Sequence, residues 1–301
     1  VSQIHRATFI GSISIVLWGT LALLTRLTDG QIPAFQMMTM TFSIAFVMMS
    51  LRWFQQGHLG LRHLPRAPLV WLIGIGGLFG YHFCYFLAMS MAPAVEVSLL
   101  AYLWPLLIVL FAALLPDEKL KPQHLLGALL ALGGCWTLIA KEGTIFGSEH
   151  LGGYLLALGC ALIWSIYSVA SRLLKAAPTD AVGWFCAATA LLAAACHLLW
   201  EQTVWELSIR QWIGILGLGI GPAGIAFVTW DYGVKNGNLQ LLGVLAYGAP
   251  LISVLLLVLA GEAQPSWVLV WACMAIVGGS ALAGISSKGG EGKTTESEPC
   301  L

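Results

Sequence analysis

Ala101-Tyr102-Leu103-Trp104-Pro105-Leu106-Leu107 returns as Ala246-Tyr247-Gly248-Ala249-Pro250-Leu251-Ile252, a shift of 145 residues (246 − 101), close to half of a 301-residue chain. Ala, Tyr, Pro and Leu keep their places, and both copies lie inside long apolar stretches. The echo extends: Val109 answers to Val254 and Gly133-Gly134 to Gly278-Gly279. With one residue of slippage, Trp18…Arg26 answers to Trp164…Arg172. A chain built from two copies of one apolar half is the sequence signature of many transporters.

Composition places the chain in a bilayer. It is 58% hydrophobic and 9% charged, with mean hydropathy +0.85. Soluble domains carry about 25% charged residues, so a soluble fold of this length would lack the charge to cover its surface. The formal net charge of zero gives no sign of a nucleic-acid partner. The chain divides into ten apolar spans, near 7–25, 34–51, 68–90, 93–115, 123–140, 151–171, 181–200, 211–230, 239–260 and 266–285. Each is close to the ~20 residues that a helix needs to cross ~30 Å of hydrocarbon. Pro33, Pro65, Pro93, Pro116, Pro122, Pro178 and Asn236-Gly237-Asn238 punctuate the joins. Arg6 precedes the first span, but that run is long, has no Ala-x-Ala-like cleavage site and ends at Arg26, so an uncleaved first helix is expected. Residues 287–301, polar and rich in Gly and Ser, are expected to be disordered.

Lysine and arginine fix the expected orientation. Arg6, Arg52, Arg62, Arg66, Lys119, Lys121, Arg172, Lys175, Lys235, Lys288 and Lys293 fall on the termini and even-numbered loops, eleven of the 14. Arg26, Lys141 and Arg210 fall on odd-numbered ones. Both termini are therefore expected in the cytoplasm. Five spans per half is an odd number, so the second copy must enter the bilayer from the opposite side. The expected fold is an all-α membrane protein of ten transmembrane helices in two inverted five-helix repeats, residues 1–145 and 146–286. Such halves can exchange conformations and expose a central site to each face in turn. Spans 3 and 4, joined at Met91-Ala92-Pro93, and spans 8 and 9, joined at Lys235–Asn238, are expected to be the opposing gates. Pro105 and Pro250 are candidate hinges at matching depth, or static kinks that improve packing.

Ionisable residues inside spans each need an account. Glu96, three residues after Pro93, either complements the positive end of a helix or serves as a ligand for an ammonium or a proton. His82, in mid-span 3, is either a packing residue or a hydrogen-bonding partner for a ligand. Asp231 is expected to reach the interface at the end of span 8. Among the aromatics, Trp53, Trp71, Trp200, Trp205, Trp212 and Trp267 lie near span ends, where interface belts form. Trp18, Tyr81, Tyr85, Tyr102, Trp104, Trp164, Tyr167 and Tyr247 do not, and the repeat pairs Tyr85 with Trp230. These residues would line a cavity with flat surfaces and a few hydrogen-bonding groups, or pack helices together. Glycines cluster on spans 3 and 8, and on spans 5 and 10, where they invite close helix packing.

Signals of catalysis are missing. Gly292-Lys293-Thr294 lacks the glycine that a phosphate-binding loop requires and lies in no strand–helix unit, so no ATP is implied. His-Glu-x-x-His and Gly-x-Ser-x-Gly do not occur. The seven cysteines show no metal spacing. No metal, cofactor or enzymatic activity is expected.

Val95-Glu96-Val97-Ser98-Leu99-Leu100-Ala101-Tyr102-Leu103-Trp104-Pro105 resembles the span 4 motif of the bacterial YddG-type aromatic amino acid exporters, within the drug/metabolite transporter superfamily. The opening Ala7-Thr8-Phe9-Ile10-Gly11 and Ile15-Val16-Leu17-Trp18-Gly19-Thr20 are similar to theirs as well. The resemblance covers nearly the whole chain. It implies a multi-pass secondary transporter of the bacterial inner membrane; a monomer is expected, because the pairing of spans 5 and 10 would use up their small-residue faces. Such a protein would export aromatic and other mostly neutral amino acids and related metabolites by alternating access. Two rivals stand beside it: a multidrug or other small-metabolite carrier of the same superfamily, and a membrane-embedded enzyme acting on lipid.

Overall fold

The computed structural model describes residues 2–116, 120–140, 146–174, 177–261 and 264–285; the tail 287–301 lies outside them. Ten helices are long and apolar enough to cross a bilayer: span 1 (Gln3–Arg26), span 2 (Ala34–Gln55), span 3 (Pro68–Met91), span 4 (Ala94–Ala112), span 5 (Pro122–Ile139), span 6 (Ser148–Leu173), span 7 (Thr179–Trp200), span 8 (Ile209–Asn236), span 9 (Leu239–Leu259) and span 10 (Trp267–Gly284). No strand occurs among the described residues. The helices begin where local chemistry meets their unpaired N–H groups. Pro68 and Pro122 open their helices, where a missing N–H costs nothing. Ser208 and Gln211 form a reciprocal capping box at 3.2 and 2.8 Å, and Asn238 Oδ1 accepts from Leu241 N–H at 2.9 Å.

Three clusters make the interior, the smallest of them Ala88, Ala92, Val97, Tyr154 and Ala157 between spans 3, 4 and 6; two matter most for the site. The larger joins Ile15, Met38, Phe42, Trp104, Trp164, Phe185, Phe227 and Trp230 at the centre of the bundle. The smaller, around Val109, Ala131, Cys135, Tyr247 and Ile276, ties spans 5 and 10 to spans 4 and 9. Spans 5 and 10 pack on their glycines, as their small residues predict: a Cβ on Gly127 would stand 2.5 Å from the Gly279 carbonyl oxygen. Phe9, Leu72, Leu191 and Leu259 are exposed on the outside of the bundle, as lipid-facing residues should be.

Four backbone irregularities repeat between the halves. Gly76–Gly80 in span 3 and Gly221–Ile225 in span 8 wind as π-helix, and they too are 145 residues apart (221 − 76). The glycines of these spans thus divide into two sets. Gly74 and Gly77 admit the rings of Phe185 and Tyr167, whereas Gly76 and Gly221 would meet no close neighbour and relax the backbone where the pitch widens. Span 4 breaks between Ala101 and Trp104, and span 9 between Leu245 and Gly248. Pro105 and Pro250 cause the breaks, since each lacks an N–H and its ring crowds the preceding turn. The Leu106 N–H at the start of the second piece of span 4 is met from the other half: it donates to the Tyr247 hydroxyl at 3.0 Å.

Three expectations need revision. Span 8 runs to Asn236 rather than 230, so Asp231 and Lys235 share a helix face one turn apart. Asp231 does not reach an interface: it is 1% exposed and its Oδ2 lies 2.8 Å from Lys235 Nζ. Pairing carries the helix past the point where apolar character ends. Trp53 is not a belt residue either. It is buried, stacked on Trp184 at 5.4 Å and held under Gly60, whose φ of +75° and missing Cβ let the loop close over the ring. Trp200, Trp205, Trp212 and Trp267 are exposed near helix ends, as a belt requires.

One support has no signature in span periodicity. Pro33 cannot cap span 2 with its side chain, and Glu201 does so from 165 residues away, accepting from Phe35 and Gln36 N–H at 3.0 Å each. Removing these charge-assisted bonds by Glu201→Ala should destabilise the fold by about 1.5–3 kcal/mol, read as a lower unfolding midpoint in detergent, with Glu201→Gln closer to the parent. Tyr247→Phe should cost about 1–3 kcal/mol, because it leaves the Leu106 N–H buried without an acceptor; an unchanged unfolding midpoint would remove the hydroxyl from this role.

Candidate functional site

A cavity of about 910 Å³ enters the bundle from the face opposite the N-terminus. Its mouth is framed by Thr25, Arg26, Thr28, Asp29 and Gly30 at the end of span 1 and by Ala34 and Met37 of span 2. Asp29 and Gly30 turn the chain out of span 1 through left-handed φ values of 55° and 64°, which Asp and Gly tolerate best. Asp29 faces Arg210 at 3.9 Å. Deeper, the walls are Tyr81, His82, Tyr85, Phe86 and Met89 of span 3 and Tyr102 of span 4, facing Phe42 and Phe227.

The floor is a tryptophan cluster. Trp18 stands 6.2 Å from Trp104, 5.6 Å from Trp164 and 5.2 Å from Trp230, in edge-on and tilted pairings that rings favour over face-to-face contact. Each of three polar handles on these walls is turned to the backbone or a neighbour. Trp18 Nε1–H donates to the carbonyl of Pro222 at 3.3 Å, inside the π segment of span 8. His82 Nδ1–H donates to the carbonyl of Leu78 at 2.7 Å, inside the π segment of span 3. That bond fixes the tautomer of the neutral ring and makes Nε2 the acceptor. Tyr85 and Ser98 approach at 3.4 Å. The π segments therefore position two of the cavity side chains, in keeping with their frequent occurrence at functional sites.

Seven of the residues singled out from sequence line this one space: Trp18, Tyr81, His82, Tyr85, Tyr102, Trp104 and Trp164. Trp230 lies beneath them, fully buried, with its Nε1–H donating to Ser168 Oγ at 3.0 Å. Tyr167 stacks behind Trp164 at 5.1 Å. Tyr247 is away from the cavity, at the span 4 break described above. Glu96 is away from it too, buried in the first turn after Pro93, where a carboxylate complements a helix N-terminus. No group of three His, Cys, Asp or Glu side chains able to hold a metal occurs among the described residues.

Below the tryptophans the bundle is shut toward the N-terminal face. Gly11 of span 1 and Gly233 of span 8 meet so closely that a Cβ on Gly11 would stand 2.9 Å from Gly233 Cα. Thr8 Oγ1 accepts from Asn238 N–H at 2.8 Å. Arg172 at the end of span 6 donates to the carbonyls of Val234 and Gly237 at 3.1 and 2.6 Å. Lys235 Nζ donates to the carbonyl of Ala177 at 2.9 Å. Span 8 and the turn into span 9 are thus fastened to spans 1 and 6. Apart from its pairing with Arg26, Arg172 carries no sequence sign of a part in this seal, because its partners are carbonyls, which every residue carries.

Comparison with known proteins agrees with this architecture. The profile of the EamA-like transporter family matches the chain twice, at residues 5–140 and 151–285. The chain is 51% identical to the aromatic amino acid exporter YddG of Ancylobacter novellus, over 92% of this chain and 96% of that one. It is 27% identical to the aromatic amino acid exporter YddG of Escherichia coli, over 95% and 99% of the two chains. A crystal structure with 50% sequence identity superimposes with a TM-score of 0.89, covering 94% of this chain and 99% of the other. Two family matches that together span nearly all of a ten-helix chain leave no room for another assignment: this is a multi-pass bacterial membrane protein that belongs to the EamA-like transporter family.

Proposed function

We propose that the chain is a secondary transporter that exports amino acids, aromatic and other mostly neutral ones, and related metabolites across the bacterial inner membrane by alternating access. The cavity carries this reading. It holds a volume within the range of small-molecule sites, aromatic on its floor and walls, with His82 and three tyrosines among its polar groups. Trp18, Trp104 and Trp164 would hold an apolar or aromatic side chain. His82 Nε2, kept as an acceptor by the Leu78 bond, would take a hydrogen bond from the substrate ammonium. Tyr81, Tyr85 and Tyr102 would supply hydroxyls. Trp230 and Tyr167 back the floor, Tyr247 supports span 4, and Glu96 sits in the first turn of span 4.

Residues 1–145 and 146–286 act in this scheme as inverted five-helix repeats, a reading supported by the double family match and by π segments and proline breaks at equal spacing. With both termini in the cytoplasm, as the loop lysines and arginines favour, the cavity opens outward and the Gly11–Gly233 contact closes the cytoplasmic path. The halves exchange these conformations through the hairpins of spans 3 and 4 and of spans 8 and 9, with Pro105 and Pro250 as flexible points. Neither ATP nor another cofactor enters the scheme, and one monomer contains the whole path. The names of the relatives favour amino acids over drugs as cargo.

Flux of labelled amino acids into liposomes containing the purified protein tests the assignment, and competition by unlabelled amino acids ranks the substrates. Trp18→Ala, Tyr102→Ala and Trp104→Ala should each lower exchange about fivefold or more, since each removes a wall on which a bound ring would rest at about 1 kcal/mol or more. Parent-like exchange in all three would move the site elsewhere, and covalent change of the solute would return the enzyme reading. A Gly233→Val change should arrest exchange, because the cytoplasmic side could no longer close. Parent-like exchange in that variant would show that the glycine contact need not form during the cycle.

A further inference from the structure

The closed and open mouths are built from paired positions. At the closed mouth, span 6 is fastened to span 8 by Ser168 with Trp230, and by Arg172 with the carbonyls of Val234 and Gly237. The slipped register of spans 1 and 6 (164 − 18 = 146) takes Ser168 to Ala22 and Arg172 to Arg26. The 145-residue register of the hairpins takes Trp230 to Tyr85, Val234 to Met89 and Gly237 to Ala92. Ala22, Arg26, Tyr85 and Met89 all line the open cavity. Positions that are zipped together at one mouth are therefore parted at the other.

The receiving end is already shaped for the same contact. Span 3 ends as span 8 ends: Ala92 N–H donates to the Ala88 carbonyl at 3.0 Å, and Gly237 N–H to the Gly233 carbonyl at 2.7 Å. Both capping residues are extended, Ala92 at φ −148° and Gly237 at φ −100°. The last carbonyls of a helix have no partner within it and carry its negative end, and a guanidinium fork suits two of them at once. We propose that Arg26 is the latch of the outer mouth. When spans 3 and 4 swing toward span 1, its guanidinium donates to the carbonyls of Met89 and Ala92, as Arg172 now does to those of Val234 and Gly237. Each arginine would then stabilise one of the two states, and transport would alternate between them. This inference rests on the alternating-access reading and assigns Arg26 a role in closure rather than in holding cargo.

The two arginines must act in opposite directions, which gives the test. A cysteine is placed at Met37, on the cavity wall, and its rate of modification by a bulky hydrophilic thiol reagent is measured in the purified protein, with the signal of the parent chain subtracted. Arg172→Ala should slow labelling, because the outward-open state loses its seal. Arg26→Ala should leave labelling as fast or faster, leave amino-acid affinity for the outward-open protein unchanged, and lower exchange in liposomes about tenfold, the size of one charge-assisted hydrogen bond. Arg26→Lys should recover part of that loss, and Arg26→Gln serves where the alanine variant fails to fold. Slower labelling or unaltered exchange in Arg26→Ala would overturn the latch. Weakened amino-acid binding would overturn it too, by making Arg26 a ligand of the substrate carboxylate. Absence of any exchange by the parent protein would count against the transport assignment, while opposite labelling shifts in the two variants would still support the paired latches.

Discussion

The constraint behind this structure is that a backbone inside hydrocarbon must satisfy its own hydrogen bonds, since lipid offers none. Straight helices do so without help. This chain departs from straight helices at Thr20 in span 1 and, in pairs one repeat apart, at two π segments and two proline breaks. Repairs follow from them. Tyr247 accepts from Leu106 N–H across the repeat, Trp18 donates to Pro222 and His82 donates to Leu78. Two of those three repairing side chains line the cavity. Trp18 and His82 are thus held by the same bonds that keep the irregular backbone tolerable, so these two cavity side chains are ordered before any ligand arrives.

The irregular segments also mark where motion is cheapest. A span broken at its middle can turn one piece without dragging the other, and the hairpins of spans 3 and 4 and of spans 8 and 9 each set a broken span beside a π-containing one. What fixes the present conformation is a short set of contacts on the N-terminal face: two glycines touching, a threonine at the Asn238 N–H, and arginine and lysine on carbonyls. In the alternating-access scheme they are exchanged for similar contacts at the other mouth, as a carrier between two states of comparable free energy requires.

Much of this was legible in the sequence because hydrophobic length, loop charge and internal repetition are all strong signals. Ten spans were readable, and the mid-span aromatics Trp18, Tyr81, Tyr85, Tyr102, Trp104 and Trp164 converge on one cavity. The proline breaks were readable because proline acts locally. Other features were hidden for physical reasons. A π segment shifts a hydrogen-bond register by one residue, and in a span apolar on all sides that shift leaves no polar stripe to betray it. The Glu201 cap and the Arg172 seal use backbone partners, which have no residue type to recognise. Asp231 and Lys235 looked like the end of a span because each alone is costly in lipid, whereas paired one turn apart they continue it. Trp53 lay where belts form, and only the loop folding over it through Gly60 revealed a buried ring.

Alternating access requires the two mouths to open in turn. Distance distributions between spin labels at paired positions read this out: Leu27 with Met91 across the open mouth, and Leu173 with Asn236 across the closed one. As amino acid is added, a shorter Leu27–Met91 distance should grow in step with a longer Leu173–Asn236 distance. Distances that lengthen together, or a Leu173–Asn236 pair that never lengthens under any condition of active exchange, would contradict it.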